Sequence, residues 1–373
     1  MKRLGADQME LWVEKTLHLR WICPDTLQKE ETPVYAVRIF KAGNLYFTSA
    51  PTAENLWNAL QESLQKVWQW EKKFFWLPEP IREEQKISLP SSPPEDFDQH
   101  CKMLQESRDI PPSAEYHEIH RECFLWNSNG FEDGYISCRY ILNLPSEQKI
   151  RKRSFLEILS EPASGGKKEP ARDISGIQEA LFLPQAAVRL MSALSPFFLT
   201  PSDIPFSPEW DIVDDGTLPG GWGTEPFDGE GSPMQRKYVL LGGEWHTPIQ
   251  DCFSAAQTHS RSTGNCLRPH PFNPPFLGFT NLIVLPSDVN LQDFLLDQKR
   301  IFVVQDILSA TVHASTLRIS GIVEEFSYAE PSSPPLFWKE EWQAPALLSA
   351  LQARFSECFT EGGMISPALF FRW

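Results

Sequence analysis

The stretch DDGTLPGGWGTEPFDGEGSPMQRKYVLLGGEWHTPIQDCFSAAQTHSRSTGNCLRPHPFNPPFLGFTNLIVLP, Asp214 to Pro286, decides how this chain folds. Its opening interleaves Asp214, Asp215, Asp228 and Glu230 with six glycines, a composition that lets the backbone turn through positive φ where a Cβ would resist. Tyr238 to Leu241 is an apolar run, Gly242-Gly243 is a turn, and a second strand-like piece runs on to Asp251, a hairpin pattern. Ser262-Thr263-Gly264-Asn265 forms another turn, and Thr280 to Pro286 resumes as a buried strand. The expectation is at least three strands of one sheet system between Asp214 and Val284.

Outward from this stretch, the C-terminal side ends on Ile365-Ser366-Pro367-Ala368-Leu369-Phe370-Phe371-Arg372-Trp373, too apolar for a free tail and expected as a docked strand. On the N-terminal side, Ala180 to Leu183 reads as a short strand. Pro184 suits the first turn of a helix, which carries Ala186, Ala187, Val188, Leu190, Met191 and Leu194 until Pro196 stops it. Earlier, Pro33 to Thr48 reads as a hairpin turning at Gly43-Asn44. Thr52 then caps a helix with Leu56, Leu60, Leu64, Val67 and Trp68 on one face. Leu77 to Asp96 is an extended, Pro- and charge-rich connection, and Phe124 to Leu142 is a strand, turn and strand. EPASGGKKEPAR, Glu161 to Arg172, lacks side chains able to bury a core and is the linker. The division is therefore residues 1–160, an α+β domain of sheet plus helices; 161–175, the linker; and 176–373, a mainly antiparallel β domain.

With 373 residues the chain is long enough for two cores. Its net charge of -15 excludes a dedicated nucleic-acid binder, which needs clustered Lys and Arg on one face. No apolar run reaches the ~20 residues of a membrane helix, and the N-terminus is too polar for a signal peptide, so the expected location is cytoplasmic. Seven scattered cysteines without a CxxC pair are expected as free, buried thiols.

The ordered set Asp214-Asp215-Gly216-Thr217, Asp228-Gly229-Glu230-Gly231, Gln235-Arg236, Thr263-Gly264-Asn265 with Arg268, and Thr280-Asn281 resembles the C-terminal domain of the TldD/PmbA family, metallopeptidases also called modulators of DNA gyrase. The resemblance implies that these residues are peptide-binding or structural family positions. It also implies a dimer, either of this chain or with a TldD-like partner subunit, acting on unfolded peptides. In zinc-bearing members a helix carries His-Glu-x-x-x-His, two ligands and the glutamate that activates the metal-bound water. Aligned through the Pro184 start, those positions fall on Ser192, Ala193 and Phe197, so this chain is expected to hold no cofactor and a partner to hold the zinc. Cys358-Phe359-Thr360-Glu361-Gly362 resembles the region that supplies a third, thiolate ligand; alone, Cys358 reads as a small buried hydrophobe. The chain thus resembles the PmbA-like subunits, a catalytically degenerate scaffold in peptide proteolysis or maturation. The alternative is a stand-alone metallopeptidase or other hydrolase with a relocated site.

Other groupings have plainer readings. His117-Glu118-Ile119-His120 has the wrong spacing for HExxH. His246, Asp251, Cys252, His259, Cys266 and His270 are metal-compatible but match no compact ligand motif, and read as loop and packing residues. Asp214, Asp215, Asp228 and Glu230 suit a hard cation but lack EF-hand spacing, and read as turns and a solvated face. Ser192 has no G-x-S-x-G context that would make it a nucleophile.

Overall fold

The computed structural model describes the chain apart from residues 1–5, 25, 64–77, 79–88, 90–95, 108–109, 146–148, 154, 156–157, 159–172, 175, 299, 314 and 327–335. The linker EPASGGKKEPAR, most of the Leu77–Asp96 connection, and Leu64, Val67 and Trp68 lie outside the described residues. The architecture is α+β with mostly antiparallel sheets. Two units divide the chain: Met1–Ser164 with Gly216–Gln235 and Ile249–Thr280, and Gly165–Asp215 with Arg236–Pro248 and Asn281–Trp373.

The first unit is built on a six-stranded antiparallel sheet of β1 (Gln8–Ile22), β2 (Thr26–Lys41), β3 (Asn44–Ala50), β4 (Glu115–Asn127), β5 (Glu132–Asn143) and β6 (Lys149–Lys152), in the order β3-β2-β1-β4-β5-β6. Successive side chains of a strand point to opposite faces, so parity sorts the residues. Leu19, Trp21, Val37, Ile39, Tyr116 and Tyr140 share the face covered by the helices Ala53–Ser63 and Phe97–Ser107, which bury Leu56, Leu60, Cys101 and Leu104 there. Thr52 accepts from the Asn55 N–H at 3.2 Å and caps the first of these helices. Glu10, Trp12, Glu14, Arg38, Arg121 and Arg139 point to the other face.

The β2–β3 turn falls one residue earlier than expected, on Ala42-Gly43, because Lys41 pairs with Asn44. Both central residues have positive φ, 50° and 79°, the geometry that matches strand twist in a two-residue hairpin. Ala42 carries the strain of a left-handed L-residue, offset in part by its N–H donating to Asp7 Oδ2 at 2.8 Å. Ala42→Gly is expected to stabilise the protein by about 0.5 kcal/mol, the relieved strain exceeding the added chain entropy. A lower urea midpoint in the variant would contradict this.

The second unit carries an eleven-stranded sheet. Its strands are β7 (Asp173–Ile174), β8 (Glu179–Phe182), β9 (Ile212–Asp215), β10 (Arg236–Leu241) and β11 (Glu244–Trp245), and, after the two-residue ladder β12 (Cys266–Leu267) and β13 (Phe276–Leu277) of the first unit, β14 (Leu282–Val284), β15 (Ile301–His313), β16 (Thr316–Phe326), β17 (Leu336–Gln343), β18 (Leu351–Glu361) and β19 (Met364–Arg372). Three strands of this sheet, β10, β11 and β14, and the last two residues of β9 come from the stretch that opened the reading. The second arm of its hairpin stops at Trp245, short of the expected Asp251. Asp251 instead caps the helix Cys252–Gln257, accepting from the Ser254 N–H while Ser254 Oγ receives the Asp251 N–H, a reciprocal cap that competes with strand pairing.

The apolar C-terminus is indeed docked: β19 lies inside the sheet, parallel to β14 and antiparallel to β8 and β18. The helix Pro184–Leu194 buries all six apolar residues expected of it. Each of its larger side chains, Val188, Leu190, Met191 and Leu194, contributes about 1.5–3 kcal/mol by leaving water.

Candidate functional site

Ser192 is exposed, and Ala193 and Phe197 are half-buried. The α-helix ends at Leu194 and continues through Ser195–Phe198 as a 3₁₀ turn, as Pro196 imposes. A hydroxyl, a methyl and a phenyl ring offer neither an imidazole nor a proton acceptor, so these residues do not fit a zinc ion. One turn before Ser192, Arg189 ties the helix to the sheet by an ion pair with Asp306 and an approach of 3.6 Å to Glu361. Cys358, three residues before Glu361, is exposed, which corrects its reading as a buried hydrophobe. It stands where the β18–β19 register shifts between Arg354 and Cys358, and this irregularity turns side chains outward.

The acidic residues of the opening loop are not a solvated face. Asp214, Asp215, Asp228 and Glu230 are all buried. In the second unit Asp214 sits opposite Lys237 in the β9–β10 register and pairs with its Nζ at 2.9 Å. Asp215 lies 3.8 Å from Arg236, and Asn281 holds this corner by donating to the Asp215 carbonyl at 2.7 Å. These residues clamp strand pairing.

In the first unit the loops 216–235 and 249–280 cover the charged face of the six-stranded sheet. Glu230 Oε1 accepts from Arg38 Nη1 at 2.7 Å, and Arg38 Nη2 donates to Glu10 Oε2 at 2.5 Å. Arg268 Nη2 donates to Glu10 Oε1 at 2.7 Å and to the Gly229 carbonyl at 3.1 Å, while its guanidinium lies over the Trp12 ring. Burial would raise the Glu230 carboxyl, but the Arg38 charge and the Cys252 N–H hold it below the usual range. Among the described residues Asp228 has no cation of its own. Burial and the Glu230 charge push it up to about 8, against the backbone N–H groups of Cys266, Glu230 and Ser232 that it receives.

Along the same face Arg121, Arg139 and Arg153 converge on Glu14 and Glu225. Burial, with repulsion from Arg121 and Arg153, lowers Arg139 to about 10 despite the attraction of Glu225. None of Glu10, Glu14, Arg38, Arg121, Arg139, Arg153 or Glu225 was singled out by motif. Their one legible signal is charge alternating with apolar residues, as in Glu10-Leu11-Trp12-Val13-Glu14, which puts the carboxylates on one face of a strand.

The remaining motif residues of this unit build loops. The Gly216 N–H donates to the Gln235 carbonyl, and Gln235 Nε2 to the Ser262 carbonyl at 3.2 Å. Thr263 Oγ1 accepts the Gln250 N–H and donates to Asn265 Oδ1 at 2.8 Å, and Asn265 Nδ2 reaches the Gly278 carbonyl. Thr280 is buried, with its carbonyl so close to Gly223 that a Cβ there would lie 2.0 Å away. Thr217 is exposed.

On the helix-covered face, Glu118 accepts from Tyr116 Oη at 2.7 Å and lies 2.6 Å from His100 and 3.0 Å from His120, whose other ring nitrogen is 3.1 Å from Cys138 Sγ. Against the lowering effect of burial, contacts with Cys138 and Glu118 push His120 up to about 9. His117 points to neither partner of this chain and instead lies 2.9 Å from His18. These five groups are joined hand to hand and, among the described residues, do not converge on one ion.

Comparison with known proteins bears on both the sequence and the fold. Residues 189–331 match the family model of the PmbA/TldA metallopeptidase C-terminal domain. The chain is 34% identical over 73 residues to a metalloprotease PmbA homolog of Buchnera aphidicola subsp. Acyrthosiphon pisum, a match covering 19% of this chain and 16% of the relative. It is 31% identical over 84 residues to a metalloprotease TldD homolog of Buchnera aphidicola subsp. Schizaphis graminum, covering 22% and 17%. These matches thus span about one sixth of the curated relatives' length. In fold it is similar to TldE from Thermococcus kodakarensis, with TM-score 0.76 and 14% identity over 100% of this chain and 96% of that one. It is also similar to a modulator of DNA gyrase from Thermotoga maritima, with TM-score 0.69 and 17% identity over 98% and 94%. The class is a two-unit α+β protein whose fold is similar to those two structures. Within it, residues 189–331 are similar to the C-terminal domain of the PmbA/TldA metallopeptidases.

Proposed function

We propose that this chain is a catalytically degenerate subunit of a PmbA/TldD-type peptidase, working in the cytoplasm beside a zinc-bearing TldD-like partner on unfolded peptides. The observation that carries the reading is the set Ser192, Ala193 and Phe197, where ligand, base and ligand are expected. It is supported by the change from α to 3₁₀ geometry between Ala193 and Phe197 and by Arg189, whose cation stands on the same helix, bound to Asp306 and Glu361. Losing every group that binds or activates water leaves no route to hydrolysis at that helix.

The buried ion pairs of the first unit hold loops onto a sheet, which fits a scaffold. The test is peptide cleavage with added zinc by the isolated chain and by the chain mixed with a TldD-like partner. Turnover is expected only in the mixture, with the two chains co-eluting as a dimer. Chelator-sensitive turnover by the isolated chain would overturn the reading.

A further inference from the structure

Two groupings that sequence spacing leaves apart meet in the first unit. Glu230 from the acidic glycine loop, Asp251 at the start of the helix Cys252–Gln257 and Cys266 at the start of β12 bring one ligand atom each to within 4.8 Å of one another. Glu230 and Cys266 are each 1% exposed, and Asp251 is half-buried. By contrast His246, His259 and His270, the histidines nearest in sequence, are exposed.

We propose that Glu230, Asp251 and Cys266 form a binding site for a divalent cation of the zinc class. Two features point to a ligand beyond the carboxylates. The Cys266 thiol is buried and has no hydrogen-bond partner among the described residues, although its backbone N–H is satisfied by Asp228. A buried thiol within 4.8 Å of two carboxylates and without a hydrogen bond is an unfilled donor position. In addition, the Asp251 cap uses Oδ1 for both the Ser254 N–H and Oγ, leaving Oδ2 outside the cap.

The donor set selects the ion. A sulfur ligand disfavours magnesium and calcium, which take oxygen, whereas one thiolate with two carboxylates suits zinc or cobalt in a tetrahedral arrangement with water as the fourth ligand. Charge is compatible: Arg38 and Arg268 pair with Glu10 and Glu230, and among the described residues no cation pairs with Asp251. Binding forms a metal–sulfur bond and releases the thiol proton to solvent.

The probe is cobalt(II) alone, titrated into the chelator-treated full chain, because a cobalt–thiolate bond gives a near-ultraviolet charge-transfer band. One equivalent is expected to saturate the band and zinc to displace it. Cys266→Ala is expected to abolish the band, and Asp251→Asn, which keeps the capping oxygen, to weaken binding at least about tenfold. Cys358→Ala is expected to leave it unchanged, which separates this site from the Cys358 region. Circular dichroism on each variant establishes that it is folded. No band in the parent protein, a band that survives Cys266→Ala in folded protein, or one lost with Cys358→Ala overturns the proposal. None of these outcomes depends on peptide cleavage.

Discussion

Replacing Arg38 with alanine is expected to destabilise the protein by about 3–5 kcal/mol, the cost of leaving buried carboxylates without their cation. Arg38 is the centre of a chain of charges that runs from Arg268 through Glu10 to Arg38 and Glu230. The side chains of Glu10 and Glu230 are both 1% exposed. Burial disfavours the charged guanidinium, yet Glu10 and Glu230 together hold its proton more tightly than in water, so the pair is strongly coupled. Removing the cation leaves a like-charged pair with only Arg268 and the Cys252 N–H as partners.

The effect is specific to the unpaired charge. Arg38→Met combined with Glu10→Gln and Glu230→Gln is expected to recover much of the loss, since a neutral, volume-matched replacement of a buried ion cluster is often tolerated. Urea denaturation followed by fluorescence measures both. A midpoint for Arg38→Ala within about 1 kcal/mol of the parent would show that water reaches the site, because exposed pairs contribute no more than that.

Gly264→Ala is expected to cost about 3 kcal/mol or more. Gly264 has φ +72°, where an L-residue loses about 1–2 kcal/mol. Its added Cβ would also meet the Pro233 carbonyl oxygen at 2.5 Å and Met234 Cα at 2.7 Å. Both are backbone atoms of a loop that is itself tied down, so relief requires moving the chain and not a side-chain tip, an overpacking term of about 1–3 kcal/mol. Gly242→Ala is the control. It has φ +59° but nothing within 4 Å of the added atom, so it is expected to show the conformational term alone. Equal midpoint shifts for the two variants would mean that the close approach at Gly264 is absent. A difference ties the family turn Ser262-Thr263-Gly264-Asn265 to packing.

Local chemistry made much of this protein legible without coordinates. The helix Pro184–Leu194 was readable because an N-terminal proline and apolar residues at helical spacing are both local facts, and the six buried positions follow from the period alone. Strands β10, β14 and β19 were readable from short β-branched and aromatic runs bounded by glycine and proline. The ordered turn motifs carried the resemblance to the PmbA/TldA C-terminal domain, which residues 189–331 match, since glycine and asparagine positions record backbone shape.

What the tertiary structure decided is whatever depends on which chain segment comes to lie against which. The segments 216–235 and 249–280 group with the first unit although the sheet strands between and around them belong to the second, an interleaving that no linker composition reveals. Asp214 and Asp228 look alike in sequence, yet one is neutralised by Lys237 across a strand pair and the other is held by three backbone N–H groups beside a second carboxylate. The partners of Glu230, namely Arg38, Cys252, Asp251 and Cys266, lie 192 residues away in one case and within a few tens in the others. A sequence determines the period of its own strands and helices, but burial and pairing of a charge are set by long-range contacts. The carboxylates that read as a solvated loop are therefore buried, and the Cys266 thiol, with no motif of its own, lies within 4.8 Å of Glu230 and Asp251.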